Sequence, residues 1–129
     1  MKKKNHNIEV SVKSIYLEDQ SDPSEDSFLW AYKVKIKNNG KISVKLLRRL
    51  WKIIDSNGNT KEVRGDGVVG EQPVLEPGET FEYASGTPLS TSSGLMHGSY
   101  FMSSENGSDF EVKIPAFSLD IPNSSRSLN

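Results

Sequence analysis

The chain has 129 residues, of which 34% are hydrophobic and 26% charged, with a formal net charge of -1 at pH 7. This length suits one domain that buries its own core, and this composition excludes a disordered chain and a general basic attraction to nucleic acid. The absence of cysteine excludes disulfides and thiolate chemistry and favours a reducing, cytoplasmic location. No apolar run follows the amino-terminal lysines, and none approaches the roughly 18 residues that span a bilayer, so neither a signal peptide nor a membrane segment is predicted.

Alternating apolar and polar residues, which are typical of half-buried β-strands, run through most of the chain. In FLWAYKVKIK, residues 28–37, the aromatic and aliphatic side chains fall on one face and three lysines on the other. In residues 44–54 the pattern selects Leu47, Trp51 and Ile53. Taken in chain order, the alternation predicts seven strands, near residues 8–17, 28–37, 44–54, 60–64, 80–85, 95–103 and 109–119.

Turn-forming dipeptides separate these strands. Asn39-Gly40, Asn57-Gly58 and Asn106-Gly107 tolerate the positive φ angles of tight hairpins, and Pro77-Gly78 suits a type II turn. These turns predict antiparallel connections. The fold class is therefore all-β: an immunoglobulin or fibronectin type III-like β-sandwich of about seven antiparallel strands. We assign residues 1–119 to this domain, with an exposed loop at 18–26, and residues 120–129 to a flexible tail.

The charges are unevenly distributed along the chain. Residues 33–64 hold ten of the sixteen basic side chains and only two acids, whereas residues 65–82 hold five acids and no base. Strands of opposite sign can pair across a sheet, or the polarity can orient a docked partner. The sequence leaves both interpretations open.

Residues 65–70, GDGVVG, match the GxGxxG pattern of dinucleotide-binding loops. Such a loop needs a helix directly after its last glycine, and Pro73 and Pro77 make a helix there costly, by about 3 kcal/mol for each interior proline. Two alternatives remain. In one, the glycines shape a sharp turn with Val68 and Val69 pointing inward. In the other, the backbone N–H groups of Gly65–Gly70 and the side chain of Arg64 hold a phosphate or pyrophosphate, although Asp66 and Glu71 would repel it.

No catalytic constellation is evident, and we predict no catalytic residue, no metal ligand and no cofactor. His6 and His97 are far apart in sequence, and the carboxylates within residues 18–26 lack the spacing and glycine of an EF-hand loop. The serines lie in turns without a G-x-S-x-G elbow. A hydrolase that uses a carboxylate or His97 is kept as a third hypothesis.

At the glycine-rich loop the sequence resembles the ApaG family. The segments EVRGDGVVGEQPVLEPGETFEYASG, TSSGLMHGSYFM and IPAFSL carry the resemblance, with RRLWKIIDSNG upstream. The similarity extends from the first predicted strand to about Leu119. Leu50 and Ser92 depart from the family pattern, which more often has His and Pro there.

The resemblance implies a fibronectin type III-like sandwich without established enzymatic activity, associated in bacteria with cobalt tolerance and magnesium efflux. Related domains in eukaryotic proteins are regarded as protein-binding modules. We therefore expect a non-enzymatic interaction module whose partner is another protein, and a phosphate or nucleotide sensor is the alternative. Replacing Gly67 with Trp is expected to leave the fold intact and remove the partner. The candidate binding residues are Trp51, Arg64, Gly65, Gly67, Val68, Gly70, Glu71, Gln72 and Pro73.

Overall fold

A computed structural model describes residues 6–122 of the chain. The described part contains no α-helix, and two short 3-10 helices, Glu18–Gln20 and Pro23–Glu25, occupy the exposed loop predicted at residues 18–26. None of its helices could cross a membrane. The strands are β1 (Ile8–Tyr16), β2 (Phe28–Asn38), β3 (Val44–Asp55), β4 (Thr60–Asp66), β5 (Val74–Leu75), β6 (Thr80–Leu89), β7 (Ser93–Ser104) and β8 (Asp109–Asp120).

The strands form two antiparallel sheets. One has the order β1-β2-β6, and the other has the order β4-β3-β7-β8, with β5 paired to β3. This arrangement confirms the predicted β-sandwich of about seven antiparallel strands: the seven predicted strands are present, and β5 is an eighth. The two-residue strand β5 was not predicted because so short a segment shows no alternation.

The core lies between the inner faces of the two sheets. Strand β2 supplies every second residue from Phe28 to Ile36 to this core, and the three intervening lysines of the strand, beginning with Lys33, are exposed. The other sheet contributes Trp51, Met96 and Tyr100, which are all nearly inaccessible to solvent. Burying a large apolar side chain contributes about 1.5–3 kcal/mol, so this alternation is the main term that holds the sheets together.

Three of the four predicted turns are confirmed. Gly58, Gly78 and Gly107 have φ angles of 87°, 88° and 89°. The predicted hairpin at Asn39-Gly40 is wrong: β2 and β3 lie in different sheets, so this loop crosses between the sheets, and Gly40 does not have a positive φ. The buried side chain of Asn38 organises the crossing, with Nδ2 donating to the carbonyls of Ile42 and Leu75, both at 2.9 Å.

A β-bulge in β3 changes which residues face the core. The pairing of β3 with β7 shifts between Leu46 and Arg48, which inserts Leu47 as an extra residue. Leu46 is therefore fully buried and Leu47 only partly, contrary to the predicted pattern. Beyond the bulge, Arg49, Trp51 and Ile53 share the inward phase of the strand.

Strand β8 continues through Asp120, one residue into the range that we assigned to the tail. The carbonyl of Asp120 accepts a hydrogen bond of 3.2 Å from Trp30 Nε1. Of the predicted tail, residues 123–129 lie outside the described range.

Candidate functional site

The glycine-rich segment forms a tight turn at the end of β4. Val68 N–H donates to the Glu71 carbonyl at 2.8 Å, and Glu71 N–H donates to the Val68 carbonyl at 2.9 Å. The two residues between them, Val69 and Gly70, have φ angles of 42° and 82°. Positive φ at both central positions is the signature of a type I′ turn. The chain then continues into β5 without a helix, which agrees with the argument from the prolines.

The two valines of the turn point in opposite directions. Val68 is 0% exposed and belongs to the core, whereas Val69 is 54% exposed at the tip. The expectation that both valines point inward is therefore wrong for Val69. Val68 does point inward, as expected. Its separate prediction as a binding residue is corrected, because a side chain without accessible surface cannot contact a partner. A β-branched residue at positive φ is a strained conformation, so the exposed tip is held against its local preference.

Gly67 is required by its surroundings. Its φ is 61°, and a β-carbon at this position would lie 2.0 Å from the carbonyl oxygen of Glu71. That neighbour is backbone within the turn itself, so it cannot move aside without opening the turn. The expectation that Gly67→Trp leaves the fold intact is corrected, since any side chain at this position disturbs the loop.

Arg49 braces the loop from strand β3. Its guanidinium lies against Gly65, where a β-carbon would come within 2.7 Å of Nη1. The same Nη1 donates to the carbonyls of Asp66 at 3.2 Å and Gly67 at 2.9 Å. Arg49 was not among the predicted site residues. The sequence pattern could have identified it, because Arg49 lies on the same face of the predicted strand as the apolar residues Trp51 and Ile53.

The backbone donors of the loop are largely used within the protein. Gly67 N–H donates to the Leu47 carbonyl at 2.8 Å, and the N–H groups of Val68 and Glu71 close the turn. The side chain of Gln72 also donates to the Leu47 carbonyl, at 2.9 Å. These N–H groups are therefore not available as a concave cradle for a phosphate.

The other predicted loop residues lie at the surface around this turn. Arg64 is exposed and pairs with Glu62 at 3.2 Å on its own strand. Gly70 and Glu71 are exposed, and the carbonyl of Pro73 accepts a hydrogen bond from Leu46 N–H at 3.0 Å. The structure thus brings Gly65 to Pro73 together in one loop, in which Gly67 and Val68 are buried.

Trp51 does not belong to that surface. It is 1% exposed and makes edge contacts with Tyr32, Tyr100 and Phe117, at ring-centroid distances of 5.3, 6.5 and 5.9 Å. Its prediction as a binding residue is corrected, because its side chain is buried in the core between the sheets. Within residues 6–122, its Nε1 atom has no hydrogen-bond partner. The hydroxyl of Tyr83 lies near this indole N–H, but the two groups do not have hydrogen-bond geometry.

Buried tyrosines surround Trp51. The hydroxyls of Tyr83 and Tyr100 are hydrogen bonded to each other across the two sheets. Burial raises the pKa of Tyr83 to about 12, and the hydrogen bond to Tyr100 opposes that rise. Burial also raises the pKa of Tyr100. Both hydroxyls are therefore neutral at physiological pH and serve as hydrogen-bonding groups of the core.

Opposite charges pair across neighbouring strands, as one interpretation of the charge pattern predicted. Lys35, in the basic segment 33–64, lies 3.9 Å from Glu82, in the acidic segment 65–82, across β2 and β6. Lys52 lies 3.7 Å from Glu62 across β3 and β4, and both of these residues belong to the basic segment. These pairs are exposed and contribute less than about 1 kcal/mol each. Among residues 6–122, no three His, Asp or Glu side chains are grouped so as to hold a metal ion.

The two stacked antiparallel sheets and the braced glycine turn define a fibronectin type III-like β-sandwich protein. The ApaG domain family matches residues 18–104, and the chain belongs to this family. It is 56% identical to the protein ApaG of Brucella canis and 58% identical to that of Brucella anthropi, each over 95% of this chain and 94% of the relative. A crystal structure of an ApaA protein from Bordetella pertussis shares 48% identity and superimposes with a TM-score of 0.88, covering 90% of this chain and 94% of that one.

Proposed function

We propose that this chain is a non-enzymatic protein-interaction module that contacts its partner through the loop of residues 65–73. The observation that carries the proposal is Val69. It is an apolar, β-branched side chain, 54% exposed and held at a φ of 42° at the tip of the turn. Strained residues persist where the surrounding structure holds them and are found at binding and switch sites.

The surroundings of Val69 support a contact surface. Among the described residues, the exposed large hydrophobic side chains are Ile15, Val69, Val74 and Leu95, so one of these four lies at the tip of the loop and another directly follows the loop. The bonds from Arg49 and Gln72 hold this segment in one conformation, and such preorganisation lowers the entropic cost of association.

Site-specific cross-linking tests the proposal, because the native chain has no cysteine that would react. A photoactivatable cross-linker is attached at Glu71→Cys, the last residue of the turn, and at Ile15→Cys on β1 in the other sheet. We expect a specific covalent adduct from Glu71→Cys in cell lysate, and much less of that adduct when Val69→Asn is added. Asn tolerates the left-handed conformation, so the turn is preserved. Equal adducts from both labelled positions, or an adduct indifferent to Val69→Asn, would contradict the proposal.

A phosphate or nucleotide sensor at Gly65–Gly70 is less well supported, because the backbone donors of Gly67 and Val68 are already engaged. The association with cobalt tolerance and magnesium efflux rests on the family resemblance and forms part of the proposal. The cytoplasmic location, which the cysteine-free composition favours, is likewise part of it.

A further inference from the structure

A narrow cleft lies between the two sheets on the side where β4 and β6 are the edge strands. Its volume is about 170 Å³. It is separate from the turn at residues 68–71, although Arg49 takes part in both. Charged, aromatic and hydroxyl-bearing side chains contribute to its walls: Arg49, Trp51, Lys61, Tyr32, Ser85 and Thr87.

The charge of the cleft has one sign. Arg49 and Lys61 line it, and among the described residues that line it none is Asp or Glu. Within residues 6–122, neither of these two cations forms an ion pair with a carboxylate. Arg49 uses Nη1 to hold the loop carbonyls, and no bond from Nη2 or Nε is made within that range. Within the described residues, the positive charge of the cleft is therefore not paired with a carboxylate.

Neutral hydrogen-bonding groups converge on the same space. Burial raises the pKa of the Tyr32 hydroxyl, whereas Ser85 and the charge of Arg49 lower it, so these three groups are neighbours across the two sheets. Thr87 is 3% exposed and follows Ser85 on the inward phase of β6. Trp51 forms part of the cleft wall, and within residues 6–122 its indole N–H has no hydrogen-bond partner. A buried donor is normally satisfied in native structures.

We propose that this cleft binds a small oxyanion, a phosphate or a carboxylate group, between Arg49 and Lys61. One water molecule occupies about 30 Å³ of the liquid, so 170 Å³ accommodates a compact anion and its contacts. Paired cations and hydroxyl donors are the groups that bind such oxygens with charge-assisted hydrogen bonds. The site is independent of the proposed partner contact at the loop, and either can fail without the other.

The size and the entrance of the cleft select against larger polyanions. Pockets for drug-sized organic ligands have volumes of about 300–1,000 Å³, above the volume of this cleft. A wider groove of about 470 Å³ continues from it, sharing Ile53, Lys61 and Pro88, and Asp26 and Asp55 line that groove. Their carboxylates would repel a polyphosphate chain, so the geometry favours a single phosphate or carboxylate group over a nucleotide.

The two tryptophans provide a reporter and its internal control. Trp51 contributes to the cleft wall, whereas Trp30 Nε1 already donates to the Asp120 carbonyl. Indole N–H resonances of the full chain are followed by NMR during titration with inorganic phosphate, with acetate, and with chloride at matched ionic strength. We expect a saturable shift of the Trp51 resonance, with the Trp30 resonance unchanged. Saturation by phosphate alone identifies a phosphate site, and saturation by acetate a carboxylate site.

Lys61→Gln should raise the dissociation constant for the bound anion about fivefold, since an exposed charge contributes modestly to binding. Lys13→Gln removes an exposed charge from β1 in the other sheet and should leave the constant unchanged. Both positions are exposed, so neither variant should impair folding. The proposal is overturned if neither anion gives a saturable Trp51 shift at millimolar concentration, if both indoles shift together as with chloride, or if the two variants behave alike.

Discussion

The guanidinium of Arg49 lies directly against the backbone of Gly65, close enough that a β-carbon there would approach Nη1 to 2.7 Å. From this position it donates to the carbonyls of Asp66 and Gly67, at 3.2 and 2.9 Å. The absence of a side chain at Gly65 thus allows one residue of β3 to hold the start of the loop. The same side chain also lines the cleft between the sheets.

Because Arg49 holds the loop, replacing it should destabilise the folded chain. Arg49→Lys should lower the free energy of unfolding by about 1–2 kcal/mol, because an ammonium does not reproduce the planar guanidinium that packs on Gly65. Amide hydrogen exchange at Gly67 and Val68 should also accelerate. Arg48→Lys is the matched control, since Arg48 lies over the Phe101 ring at 5.1 Å on the other face of β3, where lysine also interacts with the ring. Equal losses from the two variants would show that Arg49 does not brace the loop.

The glycines of the turn should differ in their tolerance of alanine. Gly67→Ala should cost at least about 2 kcal/mol of unfolding free energy, because left-handed strain is added to a 2.0 Å clash with Glu71. Gly70→Ala should cost about 1 kcal/mol, since Gly70 has a φ of 82° but an added β-carbon would meet no atom of residues 6–122 within 4 Å apart from its chain neighbours. Urea denaturation of both variants measures the difference. If Gly70→Ala were as damaging as Gly67→Ala, the steric argument would be wrong.

The valine at position 69 should make the folded chain less stable than a residue that adopts positive φ readily. Val69→Asn is expected to raise the free energy of unfolding by about 0.5–1 kcal/mol, because asparagine adopts positive φ more readily than a β-branched residue. The measurement is thermal or urea unfolding of the isolated chain. Ile15→Asn, at an exposed strand position without positive φ, should give no such gain. A loss of stability in Val69→Asn would mean that the contacts of valine outweigh its strain.

Replacing Asn38 with alanine should lower the free energy of unfolding far more than the same change at its neighbour Asn39. Asn38 is 0% exposed and bonds to the carbonyls of Ile42 and Leu75, while its Oδ1 accepts from Gly40 N–H at 2.9 Å. Asn38→Ala leaves these groups without partners and should cost about 3 kcal/mol of unfolding free energy. Asn39 is exposed and bonds to Glu9, so Asn39→Ala should change stability by less than about 0.5 kcal/mol. Similar costs at both positions would contradict this account of the crossing loop.

Alkaline pH should destabilise the core through Tyr83. Its folded pKa is about 12 against 10.0 for the unfolded chain, so the unfolded state loses its proton first as pH rises. The contribution of the neutral Tyr83 hydroxyl to stability is fully present below pH 10.0. It is lost between that value and about pH 12, and the loss amounts to up to about 2–3 kcal/mol of unfolding free energy. Urea denaturation from pH 8 to 11 measures the slope. Tyr83→Phe should be less stable at neutral pH but should show a shallower alkaline decline, and an unchanged slope would argue against Tyr83.

Much of the fold could be predicted because strand alternation and turn chemistry are local. The buried face of β2 and the turns at Gly58 and Gly107 follow from neighbouring residues alone. The extended chain after Gly70 also followed from sequence, since Pro73 and Pro77 exclude a helix by covalent geometry.

The site was predicted less well because its members depend on partners distant in sequence. The loop was identified, but Val68 and Trp51, which are buried, were named as binding residues and Arg49 was omitted. A single extra residue at Leu47 shifts the register of β3 against β7, and this decides that Leu46, not Leu47, shares the buried face with Trp51 and Ile53. Alternation cannot reveal such a bulge, because the shift is defined by the neighbouring strand.

The sequence by itself determined the all-β class, the number of long strands and the position of the glycine turn, since these depend on side-chain period and on the φ preferences of single residues. The tertiary structure alone decided that Asn39-Gly40 crosses between sheets, that Val69 is exposed above a buried Val68, and that Arg49 both braces the loop and lines a cleft. These features arise from contacts between β2, β3, β4 and β6. The physical reason is that burial and hydrogen bonding across sheets depend on the packing of separate strands, which no local pattern encodes.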